Sequence, residues 1–162
     1  MGVTTYTDSV ESPSAPARLF KALFVDSHNL FPKVVPALVK SVDIVEGDGS
    51  SAGTVKKINY VEGETEKYVK NRIDEIDGAK LVCKYTLIEG HELGEKLESV
   101  RYEVTLEGKG DGGSICKTKI EFHTKGDSTI GLDEFKQGKD KWMGLMNAVE
   151  KYLGDNPAIY AA

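Results

Sequence analysis

Along the chain the spacing of apolar residues switches between a period near 3.6 and a period of two, and the switches mark out the elements. Val3 to Glu11 alternates loosely and is rich in Thr, Val and Tyr, which predicts a first strand. Ser12-Pro13-Ser14 breaks it. Leu19, Phe20, Leu23 and Phe24 then recur at helical spacing, so Ala15 to Val25 is predicted as a short amphipathic helix. A second short helix is predicted over Asp26 to Phe31, interrupted at Pro32, and Pro32 with Pro36 argues against one long helix here. From Val39 the period is two. Strands are predicted over Val39 to Glu46, Thr54 to Tyr60, Glu66 to Ile76, Lys80 to Ile88, Leu97 to Glu107 and Ser114 to His123. Their turns fall on the glycine-rich loop Gly47 to Gly53, on Asp77-Gly78-Ala79 and on Gly108 to Gly113. The last run, Leu132 to Leu153, places Leu132, Phe135, Trp142, Met146, Val149 and Leu153 on one side of a long amphipathic helix. Asp133-Glu134 opens it and Gly154-Asp155-Asn156-Pro157 ends it. Consecutive strands followed by one terminal helix make an α+β fold, a curved antiparallel sheet wrapped on a helix, in a single domain over residues 1–162.

Alternation also assigns the faces of the strands. In Cys116-Lys117-Thr118-Lys119-Ile120-Glu121-Phe122 the charges share one parity, so Cys116, Thr118, Ile120 and Phe122 are predicted to face inward. The same rule gives inward rows of Val100, Tyr102 and Val104, of Cys83, Tyr85 and Leu87, and of Ile58. A solid core satisfies all of these rows. Three features favour a hollow one. Tyrosines recur on the inward parities as Tyr60, Tyr68, Tyr85 and Tyr102, and a buried hydroxyl needs a partner. Charged residues share those parities, Lys56 with Ile58, and Glu66, Lys70 and Arg72 with Tyr68. Gly138 interrupts the helix stripe and leaves space. An apolar wall carrying a few polar groups describes a ligand pocket better than a dry core.

Composition narrows the classes further. The 162 residues carry 21 basic and 26 acidic side chains, net −5, which argues against a surface that tracks phosphates and so against specific nucleic-acid partners. No stretch nears the roughly 18 uninterrupted apolar residues of a membrane span, so no membrane partner is expected. Met1 to Val10 has no apolar h-region, and the expected location is the cytoplasm. Cys83 and Cys116 are expected as free, buried thiols. With no Cys-x-x-Cys and no His-x-x-x-His, neither a metal nor another cofactor is implied.

The stretches LFKAL (Leu19 to Leu23), LFPKVVP (Leu30 to Pro36), GDG-SSAG-TVKKI (Gly47 to Ile58), FHTKGD (Phe122 to Asp127) and AVEKYL (Ala148 to Leu153) resemble the intracellular pathogenesis-related class-ten proteins of plants. That family includes the major birch pollen allergen. The resemblance runs over essentially the whole chain. It implies a helix-grip fold, in which a seven-stranded antiparallel sheet and two short helices enclose a large cavity under the long C-terminal helix. It further implies a monomer that binds amphipathic or apolar small molecules of the cytokinin, flavonoid, sterol or fatty-acid type, and recognition by IgE antibodies if the chain is allergenic. The family's loop usually reads Glu-Gly-Asn/Asp-Gly-Gly-x-Gly-Thr. Here Ser50-Ser51-Ala52 stands between Gly49 and Gly53, one residue longer and one glycine poorer. In the hormone-receptor branch this turn carries Ser-Gly-Leu-Pro-Ala, which is absent, as is the matching His-Arg-Leu latch, although abscisic acid stays among the ligand types.

The candidate chemistry divides three ways. As a binding protein, the wall is expected from Phe31, Ile58, Tyr60, Tyr68, Tyr85, Tyr102, Phe122, Trp142 and Met146, with Gly138 leaving room and Lys56 and the tyrosine hydroxyls orienting the ligand's polar end. As a ribonuclease, the resemblance points to Glu98, Glu150 and Tyr152 with Lys56. Glu150 and Tyr152 stand two apart on a helix, however, and point about 200° from each other. As a small-molecule enzyme of the kind found in distant relatives, Lys56, Lys141, Tyr68 and Tyr102 offer acid and base groups. The loop glycines Gly47, Gly49 and Gly53 invite a phosphate cradle, but Thr54-Val55-Lys56 follows and leads into a strand. A hairpin turn that also forms a protein-facing surface is the reading.

Overall fold

Seven antiparallel strands form one open sheet in the computed structural model, which describes residues 2–161. In chain order the elements are β1 (Gly2–Ser12), α1 (Pro16–Phe20), α2 (Ser27–Val34), β2 (Val39–Glu46), β3 (Val55–Glu62), β4 (Thr65–Asp77), β5 (Val82–Gly90), β6 (Leu97–Gly108), β7 (Ser114–Thr124) and α3 (Leu132–Asp155). The strands lie in the order β1-β7-β6-β5-β4-β3-β2, so β1 and β2 are the two edges and the α1–α2 corner joins them. Register breaks in β2, β4, β5 and β6 bend those strands, as β-bulges do. Turn chemistry sets the pairing. Glu62 faces Thr65 across a two-residue loop whose first residue, Gly63, has a φ of 64°, a conformation that a side chain would strain.

The predicted helix Ala15 to Val25 is two pieces. α1 ends at Phe20, and Lys21–Val25 continues as a π-helical turn closed by Asp26 N donating to Lys21 O at 2.8 Å. The wider turn lets Leu19, Phe20, Ala22, Leu23 and Phe24 all be buried, more than an α-helical stripe would bury. The second helix runs through Pro32 to Val34 rather than stopping at Phe31. Proline removes a single donor near this short helix's end, while buried Leu30 and Phe31 hold the turn in place. The turn before β5 is also longer than Asp77-Gly78-Ala79: it includes Lys80 and Leu81, the latter at φ 58°, and the strand begins at Val82.

One core cluster joins Leu19, Phe20, Leu23, Leu30 and Phe31 of the helical corner to Cys83, Val104, Leu106 and Cys116 of the sheet and to Met146, Val149 and Leu153 of α3. A second, made of Tyr60, Val69, Leu87, Leu97, Val100 and Ile130, lies farther along the sheet. The buried residues of α3 are Met146, Val149 and Leu153, all in its C-terminal half. Arg18 fixes that end. Its guanidinium donates to the carbonyls of Leu153, Asn156 and Ile159, each at 3.0 Å, satisfying groups that a helix C-terminus leaves open. Cys83 faces Val104 and Cys116 faces Leu106 on the strand between them, so the cysteines sit two strand spacings apart, roughly 10 Å, beyond disulfide reach. No helix among the described residues is long and apolar enough to cross a membrane.

Candidate functional site

The N-terminal half of α3 touches the sheet at its β1 edge, through Phe135 and Lys139, and stands off the strands beyond it. Between them lies a cavity of about 470 Å³. Its floor comes from the inward rows of five neighbouring strands: Ile58 and Tyr60, Val69 and Asn71, Tyr85 and Leu87, Val100 and Tyr102, and Thr118, Ile120 and Phe122. Its roof is Phe135, Gly138, Trp142 and Leu145, which share one helical face at spacings of three and four. A Cβ added at Gly138 would meet no atom within 4 Å, so this glycine leaves the roof open.

Charged groups hold the roof down. Lys141 of α3 pairs with Glu62 at 3.0 Å and Glu92 at 3.3 Å, and Glu92 also accepts the Tyr60 hydroxyl at 2.6 Å. Lys139 pairs with Asp8 of β1 at 3.0 Å, and Glu134 with Lys96 at 2.9 Å. Phe135 stacks on Tyr6 with centroids 4.5 Å apart. Burial, with Glu92 as a further cause, pushes the Tyr60 hydroxyl far above its ordinary pKa, so it stays a donor.

Deeper in the floor Tyr85 and Tyr102 are cross-strand partners, their rings stacked at 4.6 Å and 10°. Burial raises both hydroxyls, that of Tyr102 to about 12. Both remain protonated at neutral pH.

Among the sequence-predicted wall residues, Ile58, Tyr60, Tyr85, Tyr102, Phe122, Gly138 and Trp142 line this cavity. Phe31 and Met146 do not: they are packed in the core cluster of the helical corner. Lys56 faces inward but lies under the α1–α2 corner, where its ammonium donates to Ser27 Oγ at 2.9 Å and Phe24 O at 3.2 Å. Burial lowers its pKa to about 8 against the opposing pull of Cys83 and Asp26. Tyr68 is on the outer face. Its hydroxyl bonds Glu89 at 2.9 Å and Lys57 sits over its ring at 4.9 Å. The inward parity of β4 is that of Val69, Asn71 and Ile73, so Glu66, Lys70 and Arg72 point outward with Tyr68, and their charge says nothing about the interior.

The residues of the ribonuclease reading do not gather at the cavity. Glu98 is exposed at the β6 register break, Glu150 is half-buried on α3, and Tyr152 lies beneath the Lys33 ammonium at 5.2 Å. Polar wall groups that the sequence reading did not single out include Asn71, Glu92, Asp8, Glu134, Gln137 and Lys139, and Lys141, named there only as an acid or base candidate, is a rim partner. Asn71 was legible from its place midway between Val69 and Ile73. The meeting of Glu92 and Lys141, 49 residues apart, left no local trace.

The loop Gly47, Gly49 and Gly53 is filled from within. Asp48 Oδ1 accepts from the backbone amides of Ser50 and Ser51, both at 3.0 Å, and from Ser51 Oγ at 2.7 Å. These bonds hold its carboxyl below the usual range. The amides that would cradle a phosphate are thus taken by the chain's own carboxylate. Gly47, at φ 83°, has no room for a Cβ, which would come within 2.6 Å of Thr54 Oγ1.

Residues 1–156 match the profile of the Pathogenesis-related protein Bet v 1 family. Pathogenesis-related protein STH-2 of Solanum tuberosum is 49% identical, over 99% of this chain and 100% of its own length. Major allergen Pru ar 1 of Prunus armeniaca is 47% identical, over 99% of each. Among solved structures, Ara h 8.0201 aligns with a TM-score of 0.86 at 42% identity, covering 96% of this chain and all of its own. Norcoclaurine synthase from Thalictrum flavum, solved with dopamine and hydroxybenzaldehyde, aligns with a TM-score of 0.72 over 96% of this chain and 88% of its own, and at 17% identity the likeness is one of fold alone.

Proposed function

Because the chain belongs to the Pathogenesis-related protein Bet v 1 family, we propose that it is a cytoplasmic, monomeric defence-related protein that reversibly binds one amphipathic or apolar small molecule for storage, transport or signalling. The observation that carries this reading is the cavity of about 470 Å³, walled mostly by apolar and aromatic side chains with a few converging polar groups. A cavity of that volume lies within the range of about 300–1,000 Å³ that receives a single small-molecule ligand, a cytokinin or flavonoid among them. Fatty acids, sterols and abscisic acid belong to the same broad class. The polar end of the ligand is received by tyrosine hydroxyls and Asn71 rather than by Lys56. Its relatives carry allergen names, and recognition by IgE is proposed on that basis.

Displacement of a bound environment-sensitive dye such as ANS by a flavonoid or cytokinin tests this reading. Saturable displacement supports it. Silence both in displacement and in calorimetry across these ligand types sinks it. The ribonuclease alternative has no comparable geometric support, since its carboxylates are dispersed on β6 and α3.

A further inference from the structure

The chain contains three Asp-Gly pairs, Asp48-Gly49, Asp77-Gly78 and Asp111-Gly112, each at a turn between strands. An aspartyl carboxyl followed by glycine is open to attack by the glycine's own backbone nitrogen, because no side chain crowds the approach. The three pairs share one arrangement of the carboxyl. Asp48 Oδ1 accepts from the amides of Ser50 and Ser51, Asp77 Oδ1 from those of Ala79 and Lys80, and Asp111 Oδ1 from that of Gly113, all at 3.0 Å. Each side chain is thereby folded back over the peptide that follows it, as in an Asx-turn.

The glycine amide separates them. Gly49 N–H donates to Thr54 Oγ1 at 3.2 Å, and Gly49 is buried against His28. Gly112 N–H donates to Lys109 O at 3.3 Å, and the Lys109 ammonium holds Asp111 Oδ2 at 3.4 Å. Gly78 N–H has no acceptor among the described residues. Gly78 is also exposed, and a Cβ added to it would meet no atom within 4 Å. Among the three pairs, Asp77-Gly78 alone combines the folded-back carboxyl with an unbonded nitrogen and room for a ring.

We propose that Asp77-Gly78 is a modification site at which the folded chain converts aspartate to isoaspartate without enzyme or cofactor, while Asp48 and Asp111 are protected. The Gly78 nitrogen bonds to Asp77 Cγ and gives up its proton, and the hydroxyl of the protonated carboxyl leaves with a proton as water. Water then opens the cyclic imide at one of its two carbonyls. Breaking the bond from nitrogen to Cγ restores aspartate; breaking the bond from nitrogen to the main-chain carbonyl carbon routes the backbone through Cβ. The mass is unchanged, but the chain gains one backbone atom at the end of β4. The Ala79 and Lys80 amides lose their acceptor, and a new carboxylate is left that a carboxyl methyltransferase would recognise. Neither residue lines the cavity, so this chemistry is independent of what binds there.

Ageing the folded protein in neutral buffer tests the assignment. It is then digested with trypsin and probed with a protein-isoaspartyl methyltransferase and S-adenosylmethionine. The three pairs fall in separate tryptic peptides, and fragmentation assigns the residue within each. In the folded protein Asp77 is expected to convert at least about fivefold faster than Asp48 or Asp111, the factor that corresponds to one amide hydrogen bond of about 1 kcal/mol. In protein aged in guanidinium, where those bonds are gone, the three rates should converge. Asp77→Glu should remove the methylated peptide over residues 73–80. Conversion no faster at Asp77 than at the other two in the folded protein, or a preference for Asp77 that persists unchanged in guanidinium, overturns the assignment.

Discussion

The Lys56 ammonium donates to Ser27 Oγ at 2.9 Å, and through this bond the inward-facing lysine of β3 serves the helical corner instead of the cavity. It also meets the Phe24 carbonyl at the end of the π-helical turn, where a cation suits the open carbonyls of a helix terminus.

Its burial has a pH signature. The folded pKa is lowered to about 8 from 10.5, so between those values the unfolded chain keeps a proton that the folded protein has released. Stability therefore rises with pH across that window, by on the order of 3 kcal/mol. Denaturant unfolding of the unaltered protein and of Lys56→Met, compared from pH 7 to 10.5, isolates the effect because every other titrating group is shared. The difference should grow in favour of the unaltered protein above pH 8. A difference that stays flat removes Lys56 from the buried position assigned to it.

The two thiols give a second expectation. Cys83 and Cys116 are both 1% exposed and both titrate well above neutrality, so neither is a thiolate at pH 8. A thiol reagent such as DTNB should label neither in the native protein and both in guanidinium. Rapid labelling of either under native conditions contradicts the packing around β5 and β7.

At the rim, Lys141→Met removes the links from α3 to Glu62 and Glu92. These side chains are 39% to 48% exposed, so stability should change by less than about 1 kcal/mol. A bound ligand should nonetheless leave severalfold faster in stopped-flow dilution, and raised salt should mimic the substitution in the unaltered protein. Dissociation rates indifferent to both changes would show that these ion pairs do not hold the roof.

What the sequence disclosed, and what it hid, follows from how each signal is built. Where a strand has one wet and one dry face, as in Cys116 to Phe122, alternation alone assigns the wall, and Tyr85, Tyr102 and Phe122 were legible in this way. In β4 both parities mix charge with apolar surface. The aromatic Tyr68 drew the assignment to the wrong face, although Val69 and Ile73 marked the other. Phe31 and Met146 were expected in the wall and are core instead, because an apolar side chain on the inward side does not say whether it meets a cavity or a neighbour; that depends on how far α3 stands from the sheet. The destination of Lys56 was illegible for the same reason, since it depends on a contact between β3 and a corner 29 residues earlier.

Gly138 offers a substitution with a definite sign for stability. It lies inside α3 with open space beside it, so Gly138→Ala should stabilise the fold by roughly 0.5–1 kcal/mol through helix propensity. Thermal unfolding checks the sign, and a loss of stability would mean that the position is less open than described.

The most direct test of the cavity as the binding site uses the same position. Titration of ANS into the unaltered protein and into Gly138→Phe, with folding of each verified by its unfolding midpoint, compares an open roof with a filled one. Saturable binding of one dye per chain is expected for the unaltered protein, weakened at least tenfold in the variant. Equal binding by the two folded proteins would place the ligand elsewhere and contradict the account.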